Sequence, residues 1–142
     1  MRACEIHPEL QVLVDRPEGD LRLTYAKITE GFVLSVVVFM LAQSIDGVAC
    51  FTVGYAVIES MRRRGLATQT VQWAMEELSN GLKRNGSREF YIEALEAISD
   101  VPANRLARRL FSESPTKSTE KISGKPVYRY LKLVKSSDGE IG

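Results

Sequence analysis

The chain reads as an α/β (α+β) domain, a mixed and mostly antiparallel sheet flanked by helices. Three observations predict this. The first half carries β-branched and aromatic runs cut by short turns, as strands prefer. From Leu66 to Leu82 the apolar spacing changes to a helical period. The remainder then runs strand, helix, strand, strand, an order that a mixed sheet with helices on its faces satisfies.

Leu10 to Val14 is the first, weak strand. Arg16 to Asp20, with Pro17 and Gly19, has turn chemistry. Leu21 to Ile28 alternates and predicts a strand, closed by the tight turn Glu30-Gly31. Phe32 to Leu41 is rich in valine and aromatic residues and predicts the next strand. Ile45 to Gly47 turns the chain into Ala49 to Ile58, the third strand after Leu21 to Ile28 and Phe32 to Leu41. Short loops make these three an antiparallel meander. Leu66, Ala67, Val71, Ala74, Met75, Leu78 and Leu82 lie on one helical face, and Asn85-Gly86 stops that helix. Glu89 to Leu95 is apolar on both faces and predicts a central strand. Asp100 to Pro102 opens a second helix, with proline in its first turn. Leu106, Ala107, Leu110 and Phe111 form its apolar face, and Ser114-Pro115 ends it. Lys117 to Ile122 and Val127 to Val134 predict a closing hairpin around Ser123-Gly124-Lys125. Tyr128 and Tyr130 alternate along the last strand, so one of its faces is core or a dimer surface.

The 142 residues fit one domain, taken as residues 1–134, with a polar tail over residues 135–142. Hydrophobic residues make up 44% and charged residues 26%, so a sizeable core forms without staples. A formal net charge of +1 argues against bulk attraction to nucleic acid or membrane. The most apolar run, Phe32 to Ala42, is shorter than the ~20 residues that span a bilayer. Cys4 and Cys50 show no metal spacing. With no secretory signal, they suggest a reducing, cytoplasmic setting.

The most informative stretch is Thr52 to Thr68. An apolar strand runs into Arg62-Arg63-Arg64-Gly65-Leu66-Ala67, and a long amphipathic helix starts there. The first amides of a helix lack intrahelical partners, and the helix dipole adds partial positive charge, so this order makes an anion site. Gly65 and Ala67 let a ligand approach the backbone. Arg62, Arg63 and Arg64 are either a phosphate clamp or a solvated turn; guanidinium geometry suits phosphate. A nucleic-acid patch is disfavoured, because no aromatic residues interleave with the arginines.

These residues resemble the GNAT acetyltransferase superfamily. Its signature, Gln/Arg-x-x-Gly-x-Gly/Ala between strand and helix, is matched by Arg62 to Ala67. The preceding Gly54-Tyr55-Ala56-Val57 is similar to the entry segment of relatives acting on N-terminal and small amines. A second family pattern, Asn-x-x-Ser-x-x-Leu-Ala-x-x-Leu-Gly-Phe, is met by Asp100, Ala103, Leu106-Ala107 and Leu110-Phe111. Asp100 and Ala103 replace the asparagine and serine, and the glycine is missing. The resemblance covers roughly Leu21 to Leu133.

The resemblance implies acetyl-CoA as cosubstrate. Its pyrophosphate would lie on the amides from Arg63 to Thr68, beside Arg62 and Arg64. Its pantetheine would lie along Val57 like an added strand, with Asp100 and Ala103 across from it. A backbone N–H near Val57 or Ile58 would polarise the thioester carbonyl, a contribution of ~3 kcal/mol. Arg105, Arg108 and Arg109 either reach the 3′-phosphate or form a solvated helix face.

Transfer to an amine needs a base, and Glu93 and Glu59 are the candidates, Glu93 first because a carboxylate inside an apolar strand needs a reason. Glu96 is a third choice. Family members often place a tyrosine on the second helix as general acid. None lies between Asp100 and Ser112, which leaves Ser112, Ser114 or water. His7 and Trp73 read as structural. The family usually begins with a strand and a helix pair that wall the acceptor site. The residues before Leu21 are too few for two helices, so the acceptor side is open or completed by a partner subunit, and a homodimer is expected. The activity implied is N-acetyl transfer to a primary amine of a small molecule, peptide N-terminus or lysine. The alternative is a CoA-binding sensor or interaction module with weakened catalysis.

Overall fold

Two-residue turns with paired left-handed residues shape the first half of the sheet. Glu30 and Gly31 have φ of 51° and 83°, and Asp46 and Gly47 have 50° and 79°. Positive φ at both central residues matches the right-handed twist of the strands that such a turn joins. The structure, a computed structural model, describes residues 1–62 and 64–136. Strands β1 (Arg2–Ala3), β2 (Leu10–Asp15), β3 (Arg22–Thr29), β4 (Phe32–Ile45) and β5 (Val48–Val57) follow one another as an antiparallel meander. Helix α1 (Leu66–Arg84) then crosses over the sheet, and β6 (Glu89–Ala97) returns parallel to β5. Helix α2 (Val101–Leu110), β7 (Thr116–Thr119) and β8 (Pro126–Lys135) complete the chain. The sheet order is β1-β2-β3-β4-β5-β6-β8-β7.

The expected strands and both helices form. Three details differ. Arg2–Ala3 pairs with β2 although two residues carry no period. The meander's middle strand continues past Leu41 to Ile45. The expected strand Lys117–Ile122 is shorter, because the Glu120 carboxylate accepts from the amides of Ile122 (3.2 Å) and Ser123 (2.5 Å) and folds the chain away from the ladder. The tail beyond Ser136 lies outside the described residues.

Strand register decides where the core sits. Tyr25, Val37, Phe39, Phe51, Val53, Phe90, Ile92, Ala94 and Tyr130 share one face. Val71, Ala74 and Leu78 of α1 and Ala107 and Leu110 of α2 close over that same face. The tyrosines of the last strand therefore point into the core. Among the described residues no helix covers the opposite face, where Val36, Val38 and Met40 stay half-exposed. No described helix is long and apolar enough to cross a membrane.

Phe39 is fully buried and packs edge-on against Tyr25 at 5.9 Å. Phe39→Ala is expected to destabilise the fold by about 3–5 kcal/mol, the cost of lost transfer energy plus a cavity, measured by urea unfolding. Polar ties fix the helices. Ser35 and Thr70 share a 2.7 Å hydrogen bond, and Thr70 also donates to Leu66 O at 2.7 Å. Asn104 Nδ2 donates to the carbonyls of Ala97 and Asp100 at 2.8 Å each, and Tyr130 donates to Asn104 Oδ1 at 2.6 Å. The start of α2 is thus locked to the end of β6.

Candidate functional site

β5 and β6 pair over three rungs only, Cys50↔Tyr91, Phe51↔Ile92 and Thr52↔Glu93. Beyond them β5 continues beside β4 as far as Val57↔Ser35, and β6 continues beside β8 as far as Ala97↔Val127. The two strands diverge and leave a wedge with open backbone edges. In an antiparallel pair, successive residues direct their N–H and C=O to opposite sides. Ile58 donates its amide to Leu34 O at 3.0 Å. Val57, one residue earlier, therefore directs its N–H and C=O into the wedge. Of the two backbone donors expected there, Val57 is the one left available. Arg62 Nε sits at the mouth, donating to Val57 O at 3.2 Å.

The chain leaves β5 through a short 3-10 turn, Glu59–Met61, and reaches α1 through Gly65. Gly65 is the N-cap at φ +74°, a left-handed conformation that glycine adopts without penalty. No side chain caps this helix. Gln69 makes the first helical bond, to Gly65 O at 3.1 Å, so the amides of Leu66, Ala67 and Thr68 have no partner among the described residues. A Cβ at Gly65 would meet nothing within 4 Å, so the approach to those amides is open. Arg62 and Arg64 are exposed beside it, while Arg63 lies outside the described residues. Leu66 turns its side chain into the core, and Ala67 and Thr68 are half-buried.

The three candidate carboxylates occupy different surroundings. Glu93 lies on the face without helices, where it accepts from Thr52 Oγ1 at 3.0 Å and from Arg129 Nε at 2.6 Å. Glu59 is exposed in the turn after β5. Glu96 continues the run Phe90, Ile92, Ala94 on the helix-covered face, beside the wedge. Burial, then the charge of Asp100, pushes its carboxyl up to about 7. Asp100 caps α2, accepting from Ala103 N at 3.1 Å. Ala103 is half-buried beside it.

Tyr55 shares this face with Glu96, and locally only its alternation with Val53 and Val57 marks it. Its hydroxyl is buried and has no hydrogen-bond partner, a state that costs about 1–3 kcal/mol. Burial, then the charges of Glu96 and Asp100 and the neighbouring Tyr130, raise its pKa far above that of an ordinary phenol.

The other candidates lie outside this group. Arg105, Arg108 and Arg109 are exposed on α2, with Arg108 over the Tyr128 ring at 6.0 Å. Ser112 Oγ accepts from Ser114 N at 3.1 Å. His7 stacks on Trp73 at 4.4 Å, and Glu77 accepts from the amides of Ile6 and His7, tying the N-terminal segment to α1. The wedge is an open slot. Two cavities, of about 320 and 630 Å³, lie instead along the C-terminal half of α1.

No family model matches this sequence. No curated protein sequence matches it either. Solved structures do. RimL, a ribosomal L7/L12 alpha-N-protein acetyltransferase solved with coenzyme A, superposes with a TM-score of 0.56 at 23% identity, over 80% of this chain and 62% of that one. NAA60 from Arabidopsis thaliana, solved with a bisubstrate analogue, gives 0.54 at 18% identity, over 80% and 76%. A GNAT-family acetyltransferase from Streptococcus pneumoniae gives 0.56 at 13% identity, over 80% and 66%. The likeness establishes the GNAT acetyltransferase fold for this chain, which spans 62% of the length of that RimL structure.

Proposed function

We propose that this chain is an acyl-CoA N-acyltransferase that moves an acetyl group from acetyl-CoA to a primary amine by direct transfer. The observation that carries this reading is the continuity of wedge and turn. Val57 directs its backbone into the gap, and eight residues later the uncapped amides after Gly65 face open space. A pantetheine arm fits the first as an added strand, and a pyrophosphate fits the second. The RimL structure with coenzyme A supports the pairing of this fold with that ligand. Arg62, Arg63 and Arg64 supply charge to the diphosphate, and the Val57 N–H polarises the thioester carbonyl.

Glu96, rather than Glu93 or Glu59, takes the base role in this reading. Glu93 is engaged by Arg129 on the far face, and Glu59 is solvated. Glu96 combines a place beside the wedge with a pKa near the working pH, which general-base catalysis favours. Its strength also bears on the acceptor. Freeing an N-terminal ammonium (pKa ~7.7) at pH 7 costs ~1 kcal/mol, and freeing a lysine (~10.4) costs ~4.6 kcal/mol. A peptide N-terminus or a weakly basic small amine is the better matched acceptor.

The test is thiol release from acetyl-CoA with a panel of small amines, lysine peptides and peptide N-termini. Turnover with an N-terminal amine is the expected result. Tight CoA binding with no turnover on any acceptor would instead support a CoA-binding sensor. Asp100 favours that second reading: it occupies the place of an amide donor, and a carboxylate cannot donate.

A further inference from the structure

The larger of the two cavities beside α1, about 630 Å³, is lined by three lysines, Lys83 on α1 and Lys132 and Lys135 on β8. Lys83 and Lys132 are half-buried, and none of the three has an ion-pair partner among the described residues. Half-buried lysines without a counter-ion are uncommon, and like charges brought to one cavity repel. The carboxylates nearby are engaged elsewhere. Glu76, which also lines the cavity, is bonded to His7, and Glu77 accepts from the amides of Ile6 and His7. Glu89 stands opposite Lys135 on the outermost rung of β6 and β8, which leaves Lys83 and Lys132 as the uncompensated pair. Ile6, Trp73, Met75 and Val134 give the cavity an apolar wall, and Gln72 and Ser79 add polar groups. That size, an apolar wall and a few convergent polar groups mark a small-molecule site. A cleft lined by one sign of charge concentrates counter-ions.

The cavity is separate from the proposed coenzyme A site. Lys83 lies near the far end of α1 from Gly65, ~27 Å along the axis at ~1.5 Å per residue. A diphosphate on the first-turn amides cannot also meet Lys83. We propose that this cavity binds a small phosphate-bearing anion, its phosphate between Lys83 and Lys132 and any organic body against Trp73, Met75 and Val134. An ammonium is a compact charge with three donors, well suited to a phosphate dianion. The occupant supplies the counter-charge that the described residues withhold, and Lys135 adds to the attraction at the rim. The proposal does not depend on the acetyl-transfer reading.

Trp73 is the sole tryptophan of the chain and lines the cavity, so its emission reports occupancy. The test titrates the full chain with inorganic phosphate, a hexose phosphate and a nucleoside 5′-monophosphate, following Trp73 emission and heat. Saturable binding of at least one probe, with Kd below ~1 mM, is expected. Equal affinity for all three assigns the site to free phosphate, and tighter binding of an ester assigns it to an organic phosphate. Lys83→Gln combined with Lys132→Gln keeps most of each stem and should weaken binding at least ~10-fold. Its melting temperature should hold or rise, because two unpaired like charges are removed. Gly65→Val should bind the probes as the wild type does, which separates this site from the turn before α1. No saturable response to any probe overturns the assignment, as does unchanged affinity in the double lysine variant. Loss of binding in Gly65→Val overturns it too, and so does a response that sodium chloride reproduces at equal ionic strength, which is screening alone.

Discussion

Gly65→Val is expected to weaken coenzyme A binding by at least ~100-fold, about 2.7 kcal/mol. The turn before α1 holds Gly65 at φ +74° and leaves open space where a Cβ would point. Two effects act together. A branched side chain there blocks approach to the amides of Leu66, Ala67 and Thr68. A β-branched residue at positive φ also distorts the turn, at about 1–2 kcal/mol. The fold itself should survive, because an added Cβ meets nothing within 4 Å. Gly65→Asn separates the two effects, since asparagine tolerates the left-handed region yet still fills the approach. Both variants should show native circular dichroism and weak titration heats with CoA. Wild-type affinity in both would remove the diphosphate from this turn.

Glu96→Gln should lower kcat/KM by about 10²–10⁴, the range for a positioned base. The wild-type profile should rise with pH and level off above about 7, because the carboxylate is the working form and its pKa is pushed up to about 7. The variant should lose that limb. Stability should move the other way. The folded state holds this proton more tightly than the unfolded chain, so the contribution of Glu96 is fully present below the unfolded pKa and is lost as pH rises to about 7. Above that, Glu96→Gln should be the more stable protein, by on the order of 1 kcal/mol after allowing for the solvent that reaches this half-buried carboxyl. Glu93→Gln serves as the contrast. It should leave the pH limb in place and cost stability by leaving Arg129 unpaired.

The sheet was legible because its strands alternate and its turns carry glycine in sequence. The glycine turn into α1 was legible because strand, glycine and helix are contiguous. What stayed hidden depends on distant neighbours. Glu93 and Glu96 sit three residues apart on one strand, and period-2 alternation puts them on opposite faces. Nothing local says that α1 and α2 both pack on the Glu96 face, or that Arg129, 36 positions away, closes on Glu93. The orphan hydroxyl of Tyr55 is likewise invisible in sequence, since it follows from where β5 and β6 part. Arg2–Ala3 escaped because two residues show no period, and pairing supplied by β2 makes the strand.

A crystal structure with coenzyme A bound bears most directly on the site. The expected density has the pyrophosphate on the amides of residues 64–68 and the pantetheine between β5 and β6, with its sulfur toward Glu96. Coenzyme A lodged elsewhere on the molecule, with the wedge and the Gly65 turn bare, would contradict the proposal.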